Sequence, residues 1–211
     1  YSVDPEGSIS VVDISVLSAP LVETADFSAF NASEAALKAA GVRIYGPGAT
    51  LAQDLEPEYI AVSSDGSTAW VTLQENNALA KLDIASVTIT DILPLGEKDL
   101  GVEGNGADIS DEDGVINIDT WAGVSSLYLP DAMAAFEVDG ATYLVTANEG
   151  DARVWGEDSD AYWGTEGAGC TGDTSQGFVE EFRVKHLVHA SGFDRRCGDA
   201  VSYTHLRAHE T

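Results

Sequence analysis

The chain has 211 residues, with 36 acidic against 10 basic side chains, a net charge of −26 and a pI near 4.1. Such a surface repels a phosphate backbone or an anionic bilayer, which argues against nucleic acid and acidic membranes as partners. At 44% hydrophobic and 8% aromatic the composition is that of a globular domain with a sizeable core, and no apolar run approaches the length of a membrane span.

Met133 is the sole methionine, so Tyr1 is not a translation start and the chain is expected to be a fragment or a processed product. Residues 8–15, Ser-Ile-Ser-Val-Val-Asp-Ile-Ser, read as a strand and echo residues 78–85, Ala-Leu-Ala-Lys-Leu-Asp-Ile-Ala. Residues 1–15 are therefore expected to be the tail of a preceding unit. Residues 24–41 do not read as β. Asn31-Ala-Ser-Glu34 has the spacing of a capping box with Asn31 as the cap, Ala35, Ala36, Leu37 and Ala39 favour helix, and Gly41 is a natural stop. The prediction is a short inserted helix near 31–40 whose role is packing, followed by a turn at Gly46-Pro-Gly48.

The next stretch carries the fold. Asp65-Gly-Ser-Thr-Ala-Trp-Val-Thr-Leu-Gln-Glu-Asn-Asn77 returns 74 residues later as Asp139-Gly-Ala-Thr-Tyr-Leu-Val-Thr-Ala-Asn-Glu-Gly-Asp151, with six of thirteen positions identical. Upstream, Pro57-Glu-Tyr-Ile-Ala-Val corresponds to Pro130-Asp-Ala-Met-Ala-Ala, with one extra residue before the second Asp-Gly. Each unit reads as strand, turn, strand, and a third strand follows the first unit at 78–84. Units that copy one another's turn and strand in register are the pattern of propeller blades rather than of a sandwich. At about 40–50 residues per blade the chain holds about three, fewer than a closed ring usually needs. The expected fold is all-β: a partial β-propeller forming one domain over residues 1–198, with the inserted helix and long acidic loops.

Between the copies, residues 96–129 contain Asp108-Ile-Ser-Asp-Glu-Asp-Gly-Val-Ile116. Calcium loops place oxygen ligands at alternate positions before a turn glycine and an aliphatic anchor. Asp111, Asp113, Gly114 and Ile116 fit the late part of that pattern, while Ile109 in the first slot and Thr120 in the closing slot depart from it. Asp108, Asp111 and Asp113 are candidate metal ligands, and a solvated acidic loop is the competing reading.

The second copy breaks off at its strand exit, where Asn148-Glu-Gly-Asp-Ala-Arg153 replaces an outer strand. Loops at such exits are where a scaffold presents binding groups. Glu149 and Asp151 are further candidate cation ligands, and Arg153 is a candidate phosphate or ligand contact. Alternatively, either acid pairs with Arg153 and pins the loop. His186 and His189 share a helical face but have no evident third ligand, so they read as ordinary histidines. Residues 201–211 break from the acidic style of the chain and resemble translated adapter read-through; 199–211 are treated as a non-native tail. There is no nucleophile elbow, P-loop, dinucleotide fingerprint or zinc-ligand array, so no reaction is assigned.

Three segments together resemble the bacterial choice-of-anchor I family of propellers: Gly46-Pro-Gly-Ala-Thr-Leu-Ala-Gln-Asp-Leu-Glu-Pro-Glu-Tyr-Ile-Ala-Val62, Asp108-Ile-Ser-Asp-Glu-Asp-Gly-Val-Ile-Asn-Ile118 and Thr146-Ala-Asn-Glu-Gly-Asp-Ala-Arg153. Residues 57–77 also look like a blade of the YVTN type. The resemblance covers roughly residues 5–198. It implies an exported, surface-associated module, located outside the cell or on its surface, that binds a ligand, glycan or protein. The rest of the propeller would lie in the parent chain, and no contact with nucleic acid or membrane is expected. Calcium or another divalent cation is the expected cofactor. An exported context makes Cys170 and Cys197 a candidate disulfide; otherwise they are two free thiols. Because related propellers host phosphatase chemistry, the alternative is a metal-dependent phosphoesterase with these carboxylates on the cation and Arg153 on the phosphate.

Overall fold

The computed structural model describes residues 5–46, 48–109, 114–155 and 178–179. Strands β1 (Ser8–Asp13) and β2 (Leu21–Asp26) form one antiparallel pair. Strands β3 (Pro57–Val62), β4 (Thr68–Leu73), β5 (Ala78–Asp83) and β6 (Thr88–Pro94) form a four-stranded antiparallel sheet in sequence order. Two further strands, β9 (Pro130–Val138) and β10 (Ala141–Asn148), make the next pair. The molecule is thus an all-β partial propeller: one full blade, preceded by the outer half of a unit and followed by the inner half of another. The echo between 8–15 and 78–85 has a structural counterpart. β1 and β5 end in Asp13 and Asp83, whose carboxylates accept the N–H groups of Ser15 and Ser86 at 2.8 Å and turn the chain toward the next strand.

Strand alternation gives the full blade two buried faces. On one, Ala69, Val71 and Leu73 of β4, Ala78, Ala80 and Leu82 of β5, and Ile89 and Ile92 of β6 pack with Ile9, Ala25, Phe27, Val42, Leu51 and Leu55. On the other, Ala61, Trp70 and Leu79 meet Met133, Ala135 and Leu144 of β9 and β10. Sheet stacks on sheet, as successive blades do.

A 3-10 turn, Ser28–Ser33, leads into helix α1 (Glu34–Ala40), and Gly41 ends it with φ 104° while donating to the carbonyls of Leu37 and Lys38. The expected cap differs. Asp26 accepts the N–H of Ser28 at 2.9 Å and Phe27 is fully buried, so the chain already coils at Ser28 and Asn31 lies inside the 3-10 turn. Its side-chain oxygen instead accepts the N–H of Ala52 at 2.9 Å, in the first turn of helix α2 (Leu51–Asp54). The capping box of this region is Thr50 with Gln53, on α2.

The two copies do not share a register. In the first, the chain between β3 and β4 closes with Ser63 donating to the carbonyl of Thr68 at 2.8 Å and Gly66 at φ 72°. In the second, Val138 faces Ala141 directly across Asp139-Gly140, whose φ values of 51° and 77° make a two-residue type I′ turn. Ile60 is opposite Val71, so sequence alignment would set Met133 opposite Val145; Met133 is opposite Thr146 and Ala134 opposite Val145. The extra residue and the tight turn displace β10 by one position, and every β10 side chain points to the face opposite that of its β4 counterpart. Val71 is 1% exposed and Val145 55%. This corrects the expectation of in-register copies.

The acidic insertion between the copies is a folded excursion. Strands β7 (Glu97–Asp99) and β8 (Ser125–Leu127) pair at its base, Ala107 and Asp119 form a bridge beyond them, and the Trp121 indole donates to the carbonyl of Ala107 at 2.7 Å. A short pair, β11 (Val154–Trp155) and β12 (Phe178–Val179), follows the second copy. Among the described residues no helix is long and apolar enough to cross a membrane.

Candidate functional site

The turn from β4 to β5, Gln74-Glu-Asn-Asn77, is buried although all four residues are polar. Burying such groups is tolerable only if they are hydrogen-bonded, and the side chains of Gln74, Asn76 and Asn77 are. The Asn76 side chain donates to the carbonyls of Arg43 at 2.8 Å and Asp54 at 2.9 Å and accepts the N–H of Glu56 at 3.2 Å. Arg43 donates through Nη1 to the carbonyl of Glu75 at 3.0 Å, and its guanidinium lies 5.0 Å from the centre of the Tyr45 ring. Asn77 donates to the carbonyl of Gly96 at 2.7 Å and accepts the N–H groups of Tyr128 at 2.9 Å and Leu129 at 3.1 Å. One asparagine therefore clamps both ends of the acidic insertion.

Beside this turn lies a buried ion pair. Arg153 donates through Nη1 to Asp54 Oδ1 at 2.8 Å and through Nη2 to Oδ2 at 3.4 Å, with side chains 1% and 0% exposed. The fork geometry is the bidentate one that suits arginine. Asp54 also accepts the N–H groups of Gly46 and Tyr45 and, at 3.1 Å, the Asn76 amide. Gly46 has a steric reason to be glycine, because a Cβ there would stand 2.5 Å from Asp54 Oδ1. Glu56 Oε1 lies 3.6 Å from Arg153 Nε.

The seam between the full blade and the β9–β10 pair is stitched by polar contacts. Thr72 accepts the N–H of Tyr59 at 2.9 Å and donates to the carbonyl of Asp131 at 3.1 Å, and the Gln74 amide donates to Glu149 Oε2 at 3.1 Å. Carboxylates from three elements gather along it: Glu58 on β3, Asp131 on β9, and Glu149 and Asp151 after β10. The Glu58 carboxyl is held above its usual range, first by partial burial and then by the negative charges of Asp131, Glu149 and Asp151. This acidic seam, over the buried polar turn and the Asp54–Arg153 pair, is the candidate site.

The sequence-derived candidates fall in different places. Glu149 is exposed and Asp151 half-buried on the seam. Arg153 lies inside, and the acid it meets is Asp54, 99 residues away in sequence. Asp108 sits in the excursion, where Oδ2 accepts the N–H of Asn117 at 3.1 Å. Asp111, Asp113, Cys170, Cys197, His186 and His189 lie outside the described residues, as do 199–211. Among the described residues no three His, Cys, Asp or Glu side chains are grouped so as to hold a metal ion. Residue reading missed Asp54, Glu58, Asn76 and Asp131. The available signal was the run of four polar residues between two apolar strands, which a surface turn does not need and a buried, hydrogen-bonded one does.

A family model described as the choice-of-anchor I domain matches residues 1–200. Neither the curated proteins nor the solved structures gave a match.

Proposed function

The chain belongs to the choice-of-anchor I domain family, and from that membership we propose that it is part of an exported, surface-associated bacterial β-propeller that works as a binding module. The acidic seam is its ligand-facing surface. The observation that carries this is the convergence of Glu58, Asp131, Glu149 and Asp151 from three elements on one seam, where partial burial first, and then the charges of the other three, hold the Glu58 carboxyl above its usual range. Repulsion of that kind is relieved by positive charge, so the ligand is a cationic group on a protein or glycan, or a hydrated divalent ion that the carboxylates attract without ligating it as a set.

Calcium is the ion we propose, as a stabiliser of the folded chain. Saturating calcium, at about 100 times the dissociation constant, would then raise the melting temperature by roughly 5 to 10 °C. Glu149→Gln with Asp151→Asn would remove most of that rise if the seam holds the ion, and Asp111→Asn with Asp113→Asn would do so if the excursion holds it. A wild-type melting temperature that ignores calcium would sink this part of the proposal.

The phosphoesterase reading needs a cationic side chain free to meet a phosphate. Arg153 is engaged by Asp54, so the binding reading is the better supported. Phosphate release from an aryl phosphate with any of several divalent metals, lost on Asp151→Ala, would reverse that preference.

A further inference from the structure

The two strands that bring acids to the seam share one irregularity. In the first copy Pro57 is opposite Leu73 and Ile60 opposite Val71, so Glu58 and Tyr59 together face the single residue Thr72. In the second, Ala132 is opposite Ala147 and Pro130 opposite Asn148, which leaves Asp131 as the extra residue. Each is a β-bulge, the device by which a strand re-aims a side chain, and each comes directly after the proline that opens its strand. Glu58 and Asp131 thus occupy the same position of the repeated unit, and both are exposed.

A single hydroxyl joins the two bulges. Thr72 is fully buried, on the face of β4 that also carries Trp70 and meets β9. The extra residue of a bulge loses its place in the ladder, and Thr72 Oγ1 accepts the N–H of Tyr59 at 2.9 Å. The same oxygen donates its proton to the carbonyl of Asp131 at 3.1 Å. A hydroxyl both accepts and donates, so it can serve an N–H on one strand and a carbonyl on the other. Its counterpart in the second copy, Thr146, turns its hydroxyl to the neighbouring Asn148 Oδ1 at 2.9 Å. The bridge between copies is therefore particular to Thr72.

We propose that Thr72 is the positioning residue of the acidic seam: its hydroxyl ties the bulge of one copy to the bulge of the next and so sets how close Glu58 and Asp131 stand. This role rests on the reading of the seam as a ligand-facing surface, and it accounts for the spacing of charge on that surface. The hydrogen bonds of Thr72 act on the backbone beside each carboxylate, not on the carboxylates, which leaves both acids turned to solvent for a cationic group. Partial burial, and then Asp131 ahead of the other charges, holds the Glu58 carboxyl above its usual range, as fixed neighbours on one seam should.

A mutant cycle on the full chain at low ionic strength reads that spacing. Neutralising either of two acids that repel relieves both, so Glu58→Gln with Asp131→Asn should raise the melting temperature by about 2 °C less than the two single changes added together. In Thr72→Val, which keeps the branched shape and loses both hydrogen bonds, that shortfall should vanish. In Thr72→Ser, which keeps the hydroxyl, it should return. A threonine with a merely structural role would lower every melting temperature of the cycle alike and leave the shortfall intact; that result overturns the proposal, as does a wild-type cycle without a shortfall. If Thr72→Val does not fold, Tyr59→Pro replaces it with the same expected loss, because it deletes the N–H that Thr72 accepts and β3 is an edge strand, where proline is tolerated. Calcium separates the positioning role from the reading it rests on. A wild type whose melting temperature ignores calcium, but whose shortfall Thr72→Val abolishes, supports the role of Thr72 and overturns only calcium as the ligand.

Discussion

Asp54 shows how much a single side chain can organise. It accepts from two backbone N–H groups, from Asn76 and from both arms of Arg153, and its own side chain is fully buried. Asp54→Ala removes the charge facing the Arg153 guanidinium, and loss of one member of a buried pair costs about 3–5 kcal/mol. Urea unfolding should show that loss as a lower midpoint. Glu58 works in the opposite sense. Its folded pKa lies above the ordinary 4.5, so its ionised form is the disfavoured one in the folded chain. Its contribution is favourable below that ordinary value and is lost as pH rises through the raised value. Glu58→Gln should therefore raise the melting temperature at neutral pH, and the advantage should vanish below pH 4.5; an advantage independent of pH would mean that repulsion on the seam is not its cause. Asp65 is the calibration for such titrations. Hydrogen bonds from the Ser63 hydroxyl and from the backbone and hydroxyl of Ser67 hold its carboxyl down to about 2. Neither Asp54 nor Glu58 was marked in the sequence, because each depends on partners far along the chain.

Elements were legible where local chemistry is repeated and illegible where it is shared. The strands of the blade and the break at Glu149 follow from periodicity and turn residues, and Gly41 ends its helix at a left-handed φ as its position predicts. The cap did not follow, because Asn31 and Thr50-Gln53 both serve α2, and a spacing rule cannot tell which helix a side chain will reach. Thr50→Ala should cost about 1 kcal/mol, seen as a lower melting temperature, since the capping box closes both ends of the first turn. The register of β10 was illegible for a related reason. Six identical residues in thirteen reveal kinship, but one inserted residue and a tight Asp139-Gly140 turn decide which face each side chain takes. The excursion between the copies reads as loop by composition, yet β7 and β8 pair at its base and Asn77 holds its two ends together.

Among the described residues, the buried apolar side chains of the blade sit between stacked sheets, and four carboxylates line the seam. The sandwich of the full blade between two half-units explains why the family resemblance and the repeat point to the same fold: each sheet face needs another sheet to cover it. Of the candidate site, the sequence shows Glu149 and Asp151 but not the company they keep, since Glu58 and Asp131 reach the seam from other strands. The Asp54–Arg153 pair has one more consequence, and it concerns time. Its members are 99 residues apart, so closing that span in a flexible chain costs about 4 kcal/mol of entropy beyond the shortest loops. A contact of that kind is expected to form after the rate-limiting step of folding, once the blade between its two ends is already in place. Asp54→Ala should then leave the refolding rate nearly unchanged and appear almost wholly as faster unfolding in a stopped-flow chevron. A refolding rate that falls in proportion to the lost stability would place the pair in the nucleus instead. On this account the salt bridge does not guide the chain to its fold; it sets how long the fold, once reached, endures.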